Sequence, residues 1–164
     1  MNEAHLHLLF NHLPIVGGII GTSILIADFL LKNNTVVKQT ALGVLIFSGL
    51  TAVPAFFTGE GAEEVVENIG GISHDVIEAH EDLGKLFFIF MMIGGVLSVI
   101  TFVASLRKHK MTNMLFAIVL LLSLVSCVMA QRAGTSGGEI RHTEIRNGAL
   151  NNTTTPGQGE EEDD

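Results

Sequence analysis

Apolar residues along this chain fall into four long blocks, at about 13–31, 39–57, 86–106 and 111–130, separated by shorter polar runs. Each block is close to the ~20 residues a helix needs to cross ~30 Å of hydrocarbon. The only charge within them is Asp28, near one end of the first. Backbone polar groups in lipid must be paired inside their own segment, so helices are predicted rather than open strands. The expected fold is therefore all-α, an integral membrane bundle of four transmembrane helices.

Composition agrees with that pattern. Of 164 residues 48% are apolar and only 16% charged, and the mean hydropathy is +0.47, outside the range of an ordinary soluble enzyme. The net charge of −8 argues against a nucleic-acid partner, because that affinity comes from clustered Lys and Arg. A single cysteine, Cys127, leaves no intramolecular disulfide to form and reads as a small packing residue. The opening residues lack a basic n-region, so no signal peptide is expected. One domain is expected over residues 1–148. The low-complexity acidic run at 149–164 has nothing to bury and is expected to be disordered.

Charge asymmetry predicts a direction. Lys32 and Lys38 follow the first block, and Arg107, Lys108 and Lys110 follow the third; both connections belong in the cytoplasm by the positive-inside rule. The long connection 58–85 carries eight carboxylates, Glu60, Glu63, Glu64, Glu67, Asp75, Glu78, Glu81 and Asp82, before its one cation, Lys85. Both termini and this acidic connection are thus expected outside. Gly17 and Gly21 form a small-xxx-small pair on the first span, and Gly43, Gly49, Gly94, Gly95 and Ser98 offer close helix contacts elsewhere. Asp28 stands four residues before Lys32, the spacing of a local ion pair.

The outer segments predict three further features. Pro54 frees the Leu50 carbonyl and is expected to kink the second span. A short acidic helix follows, ended by Gly70-Gly71. Ser73 is positioned to N-cap a helix running into the third span, on which Val76, His80, Leu83 and Phe87 share one face. Beyond Arg132, the glycines at 134, 137 and 138 suggest turns, followed by a short ordered piece at 140–145 containing His142.

On this topology six of the seven histidines, His5, His7, His12, His74, His80 and His142, gather at the outer end; only His109 is inside. Imidazole ligates transition metals and serves as an axial ligand of haem iron. Two histidines on different helices clamp a haem b, with His12 and His80 as the expected pair and His7, His74 and His142 next. Gly17, Gly18, Gly49 and Gly84 would supply room, and Lys85, Arg132 and Arg141 cations for the propionates. The alternative chemistry is a zinc or copper ion held by the same histidines, His12 and His80 among them, with Asp75 or Glu78. A third reading stands beside these: aligned helix ends bring histidines together in a structural subunit that ligates nothing. No catalytic residues are expected, since there is no nucleophile with its base and no Gly-rich phosphate loop.

The segment His7-Leu-Leu-Phe-Asn-His12-Leu-Pro14 resembles the H-P-x-x-V-H-F-P opening of the membrane proteins grouped as domain of unknown function 2231. Thr58-Gly59 is similar to that family's T-G, His80 falls where it often has a histidine, and Gly134-x-x-Gly-Gly138-Glu-Ile resembles its closing G-x-x-G-G-x-L. Leu8 stands in place of the first proline and Leu13 in place of phenylalanine; neither change removes a ligand. The resemblance spans the chain to about residue 148. It implies a bacterial four-helix membrane domain, sometimes attached to Rieske-type iron–sulfur domains, and hence electron transfer at the inner membrane. This chain has no Rieske Cys/His set, so a redox partner would be another chain.

Overall fold

The computed structural model describes residues 2–30, 34–69, 72–142 and 145–146. Six helices follow in order: α1 (Glu3–Phe10), α2 (His12–Leu30), α3 (Thr35–Phe57), α4 (Gly59–Ile69), α5 (His74–Leu106) and α6 (Thr112–Arg141). Among the described residues there is no strand. Four helical stretches, counting α1 with α2 and α3 with α4, are long and apolar enough to cross a membrane. The all-α class and the four predicted segments are therefore seen. The expected tail at 149–164, Lys32 and the Gly70-Gly71 stop lie outside the described residues.

The long helices form a closed ring. α2 packs on α3, α3 on α5, α5 on α6, and α6 returns to α2, while α1 lies over α4 at one end. The interior is built largely from small and hydroxylated residues. Thr22, Ser48, Ser98, Thr101, Ser105, Ser123 and Ser126 are buried, whereas Ile93, Val96, Val99, Ile100, Val103 and Leu106 of α5 are exposed. In water such an apolar exterior would be an aggregation surface; against lipid it is what a bundle requires, since there association rests on close backbone approach. Gly49 illustrates this: a Cβ there would lie 3.1 Å from the Gly95 Cα. Gly21 faces Leu45, and Gly17 packs against the Ser48 side chain. The room expected for a macrocycle at Gly17 and Gly49 is thus taken up by neighbouring helices.

Several local expectations are corrected. The glycines at 134, 137 and 138 do not make turns: α6 continues to Arg141. Three helical glycines cost roughly 1 kcal/mol each, but Ala133 and Ser136 are buried on this extension, and Gly137 accepts the His80 ring against its backbone. Packing overrides propensity. His142 is consequently the C-cap of α6, and Arg146 closes the helix end by donating from Nε to Glu139 O at 2.7 Å and from Nη2 to Ile140 O at 3.1 Å. Ser73 occupies the N-cap of α5 without a side-chain capping bond. Asp28 is buried at the opposite end, where Asn34 N–H donates to its Oδ1 at 2.6 Å. Among the described residues Lys38 pairs with it, 3.9 Å from Oδ2, and also lies 4.8 Å from the centre of the Phe116 ring; the expected partner Lys32 lies outside the described residues.

Candidate functional site: a histidine pair at one end of the bundle

α1 and α2 are separated only at Asn11. Pro14 has no N–H to offer the Phe10 carbonyl, so the helix is interrupted one turn upstream. α1 packs beside α4 and the end of α3, continuing the pairing of α2 with α3. At that end of α3 the last carbonyls have no intrahelical partners, and one of them, Ala55 O, accepts a hydrogen bond from His7 Nδ1–H at 2.9 Å. Thr58 Oγ1 donates to Pro54 O at 2.7 Å and stands 3.4 Å from the same ring nitrogen. A Cβ on Gly59 would be 3.7 Å from His7 Cε1, so the Thr-Gly pair forms the wall beside this imidazole.

His80 lies on the N-terminal portion of α5. Thirty-three residues at ~1.5 Å each make about 50 Å of helix, against ~30 Å of hydrocarbon. The first three turns, which carry Asp75, Glu78, Glu81 and Asp82, therefore stand beyond the apolar segment 86–106, and α1 likewise precedes the apolar segment 13–31. Ser136 Oγ spends its hydrogen on Ala133 O at 3.0 Å, so it accepts from His80 Nδ1–H at 2.9 Å. A Cβ on Gly137 would meet His80 Cε1 at 3.0 Å; only glycine admits the ring so close to α6.

The two imidazoles share one arrangement. Each commits Nδ1–H to an oxygen on another helix, which fixes the tautomer and leaves Nε2 with a lone pair. This is the outer-sphere pattern of metal-ligating histidine. Neither Nε2 makes a hydrogen bond among the described residues. The rings are also close enough to interact electrostatically: burial is the main cause that lowers the His80 pKa, and His7 lowers it further, against the raising effect of the Ala133 carbonyl. Burial likewise lowers His7, opposed by the Ala55 bond and reinforced by His12. Asn11, one turn after His7 on the same helical face, adds a buried Oδ1 that has no hydrogen-bond partner among the described residues. The site thus collects acceptors.

Acidification should therefore loosen this end. In the unfolded chain both rings take up protons near pH 6.5; folded, they do so only at lower pH. The stabilisation present above about 6.5 is lost as pH falls through the depressed folded values. Glu63 acts in the opposite sense. Burial raises its pKa above 4.5, Glu81 and Glu67 raise it further, and His74 and Lys85 partly offset this. The melting temperature of detergent-solubilised protein is expected to fall between about pH 7.5 and 5.5. A His7→Gln, His80→Gln double variant should flatten that dependence, and an unchanged slope would place its origin elsewhere.

The other expected ligands sit differently. His12 is exposed and couples to His7, whereas the neighbour that acts on His80 is His7. His5 and His142 are exposed, as are Arg132 and Arg141 on the last turns of α6. Lys85 is engaged by Glu81 at 3.0 Å and Asp82 at 3.8 Å. His74 joins a second group: its Nδ1 lies 3.1 Å from Glu67 Oε1, and ligand atoms of Glu63, Glu67 and His74 all fall within 4.8 Å of one another. Asp75 and Glu78, expected as carboxylate ligands, are not in that group, while Glu63 and Glu67 were not anticipated. Both belong to α4, whose packing beside the start of α5 no local pattern in the sequence announces.

Comparison with protein-family models, curated proteins and solved structures finds no match to the chain.

Proposed function

We propose that this chain is an integral protein of the bacterial inner membrane, with both termini and the histidine end on the outer side. We propose further that it holds a haem b between His7 and His80 as an electron-transfer or accessory subunit. The observation that carries this reading is the pair of imidazoles whose Nδ1 atoms are tied to Ala55 O and Ser136 Oγ, so that both offer Nε2. A bare zinc or copper ion wants three or four protein ligands; haem brings four nitrogens of its own and needs two. Gly84 supports the fit. It is one turn from His80 on the same face, and a Cβ there would meet nothing within 4 Å. Bound haem supplies a one-electron couple, while the chain's residues orient the ligands and exclude water. Of the motif residues of the resemblance to domain of unknown function 2231, His7 lies against Thr58 and Gly59, and His80 against Gly137. That supports the family reading, from which a separate Rieske-type partner chain would follow.

A second reading has its own observation. Glu63, Glu67 and His74 offer three ligand atoms suited to zinc or copper. One experiment separates the two: the visible spectrum of protein purified from haem-sufficient cells, oxidised and then reduced with dithionite. A Soret band with α and β bands that sharpen on reduction is expected. A flat spectrum, with stoichiometric zinc lost in His74→Ala, would overturn the haem reading and support the second. A flat spectrum without metal would leave a structural subunit.

A further inference from the structure

The turn that joins α5 to α6 carries Arg107, Lys108, His109 and Lys110, all four exposed. Its reversal is closed by the backbone. Lys108 takes a left-handed φ of 50°, and the N–H groups of Arg107, Lys108 and His109 donate to Val103 O, Ser105 O and Ala104 O at 3.1, 3.1 and 3.0 Å. Three of the last carbonyls of α5 are thus spent on amides, and no cationic side chain is drawn onto them as Arg146 is at the end of α6. Carboxylates do not engage these cations either. The sequence has none between Asp82 and Glu139, and among the described residues Asp28, the acid buried at this end, pairs with Lys38. Apolar side chains are exposed within about a turn on both sides, Val103 and Leu106 on α5, Met111 and Met114 on α6. The unspent cations therefore sit where the apolar exteriors of two helices stop.

We propose that this turn holds the headgroup of an anionic phospholipid in the adjoining leaflet, through Arg107, Lys108 and Lys110. Guanidinium offers phosphate oxygens a planar fork, and the two ammonium groups add mobile point charges. Exposed Leu106 and Met111 give the acyl chains an apolar wall beside those charges, which a soluble phosphate would not use. The net charge of −8 would repel such a lipid if it were spread evenly. It is not: the carboxylates from Glu60 to Asp82 lie at the other end of α5, about 50 Å of helix away, several times the ~10 Å screening length at 0.1 M salt. The local positive charge decides, as it does for basic segments beside anionic leaflets. This inference rests on the membrane reading of the chain, and is independent of its direction and of whatever the histidine end holds.

The test uses the full chain reconstituted in dioleoylphosphatidylcholine vesicles with a trace of spin-labelled phosphatidylglycerol or phosphatidylcholine, electron paramagnetic resonance giving the fraction of each held at the protein surface. Phosphatidylglycerol is expected to be held in preference, by about fivefold for each cation engaged. The preference should vanish in the Arg107→Gln, Lys108→Gln, Lys110→Gln variant and survive in Lys85→Gln, Arg132→Gln, Arg141→Gln. Equal fractions of the two labels on the unaltered protein would overturn the site without any variant, as would a preference that outlasts the first triple change or is lost in the second. No immobilised lipid of either kind would mean that the chain is not in the bilayer, which overturns the membrane reading itself. Sodium phosphate should compete no better than sodium chloride of equal ionic strength; if it alone abolished the preference, the turn would be a site for free phosphate and the lipid assignment would fall.

Discussion

His7→Ala and His80→Ala should each abolish the low-spin haem spectrum, whereas His12→Ala should retain it. The contrast follows from where the rings are held. His7 is anchored on Ala55 O and His80 on Ser136 Oγ, and each approaches a glycine, Gly59 or Gly137, that makes room for the imidazole. His12, by contrast, is exposed at the start of α2. Ser136→Ala removes an outer-sphere partner without removing a ligand, and comparable changes weaken binding roughly 10–100-fold. Its expected signature is therefore a weaker haem affinity with the spectrum intact. If His12→Ala removed the bands and His7→Ala spared them, the axial pair would be His12 with His80 and the His7 anchor would be structural. Retention in both His7→Ala and His80→Ala would end the haem assignment at this site.

The sequence discloses the bundle because crossing lipid imposes a length and a composition that four blocks satisfy openly. It discloses the face of His80 as well, through the spacing of Val76, Leu83 and Phe87, and the structure buries Phe87 and half-buries His80 on that face. What it conceals is which histidine acts electrostatically on His80, namely His7. That depends on α1 packing against the junction of α3 and α4 and on a carbonyl, Ala55 O, at the end of a helix 48 residues away in sequence. Side-chain periodicity carries no signal for either. The extension of α6 is hidden for a related reason. Glycines at 134, 137 and 138 read locally as turns, and only the arrival of His80 against Gly137 shows that one of them serves close approach. The glycine-rich closing motif and the Thr-Gly pair pointed to those places without saying what they do. The Glu63–Glu67–His74 group is concealed more deeply still, since it arises where two helices fold against each other and most of the eight carboxylates between 58 and 85 look alike in sequence.

Two glycine substitutions on one helix should move stability in opposite directions, and this is the sharpest test of the packing. Gly49→Ala places a Cβ 3.1 Å from Gly95 Cα and 3.3 Å from Met91 O. Both neighbours are backbone, so no rotamer can yield, and α3 and α5 must separate by a few tenths of an ångström along a main seam of the ring. Overpacking of this kind costs about 1–3 kcal/mol. Gly43→Ala, less than two turns away on the same helix, meets nothing within 4 Å and should gain about 0.5–1 kcal/mol from restricting the unfolded backbone. Because both replace helical glycine by alanine, propensity cancels in the comparison and the difference reports the α3–α5 contact alone. Unfolding in mixed detergent micelles, followed by loss of helical circular dichroism, measures it. Equal shifts for the two variants would mean that Gly49 does not sit against Gly95, and the ring order α2–α3–α5–α6 would need rebuilding from that seam outward.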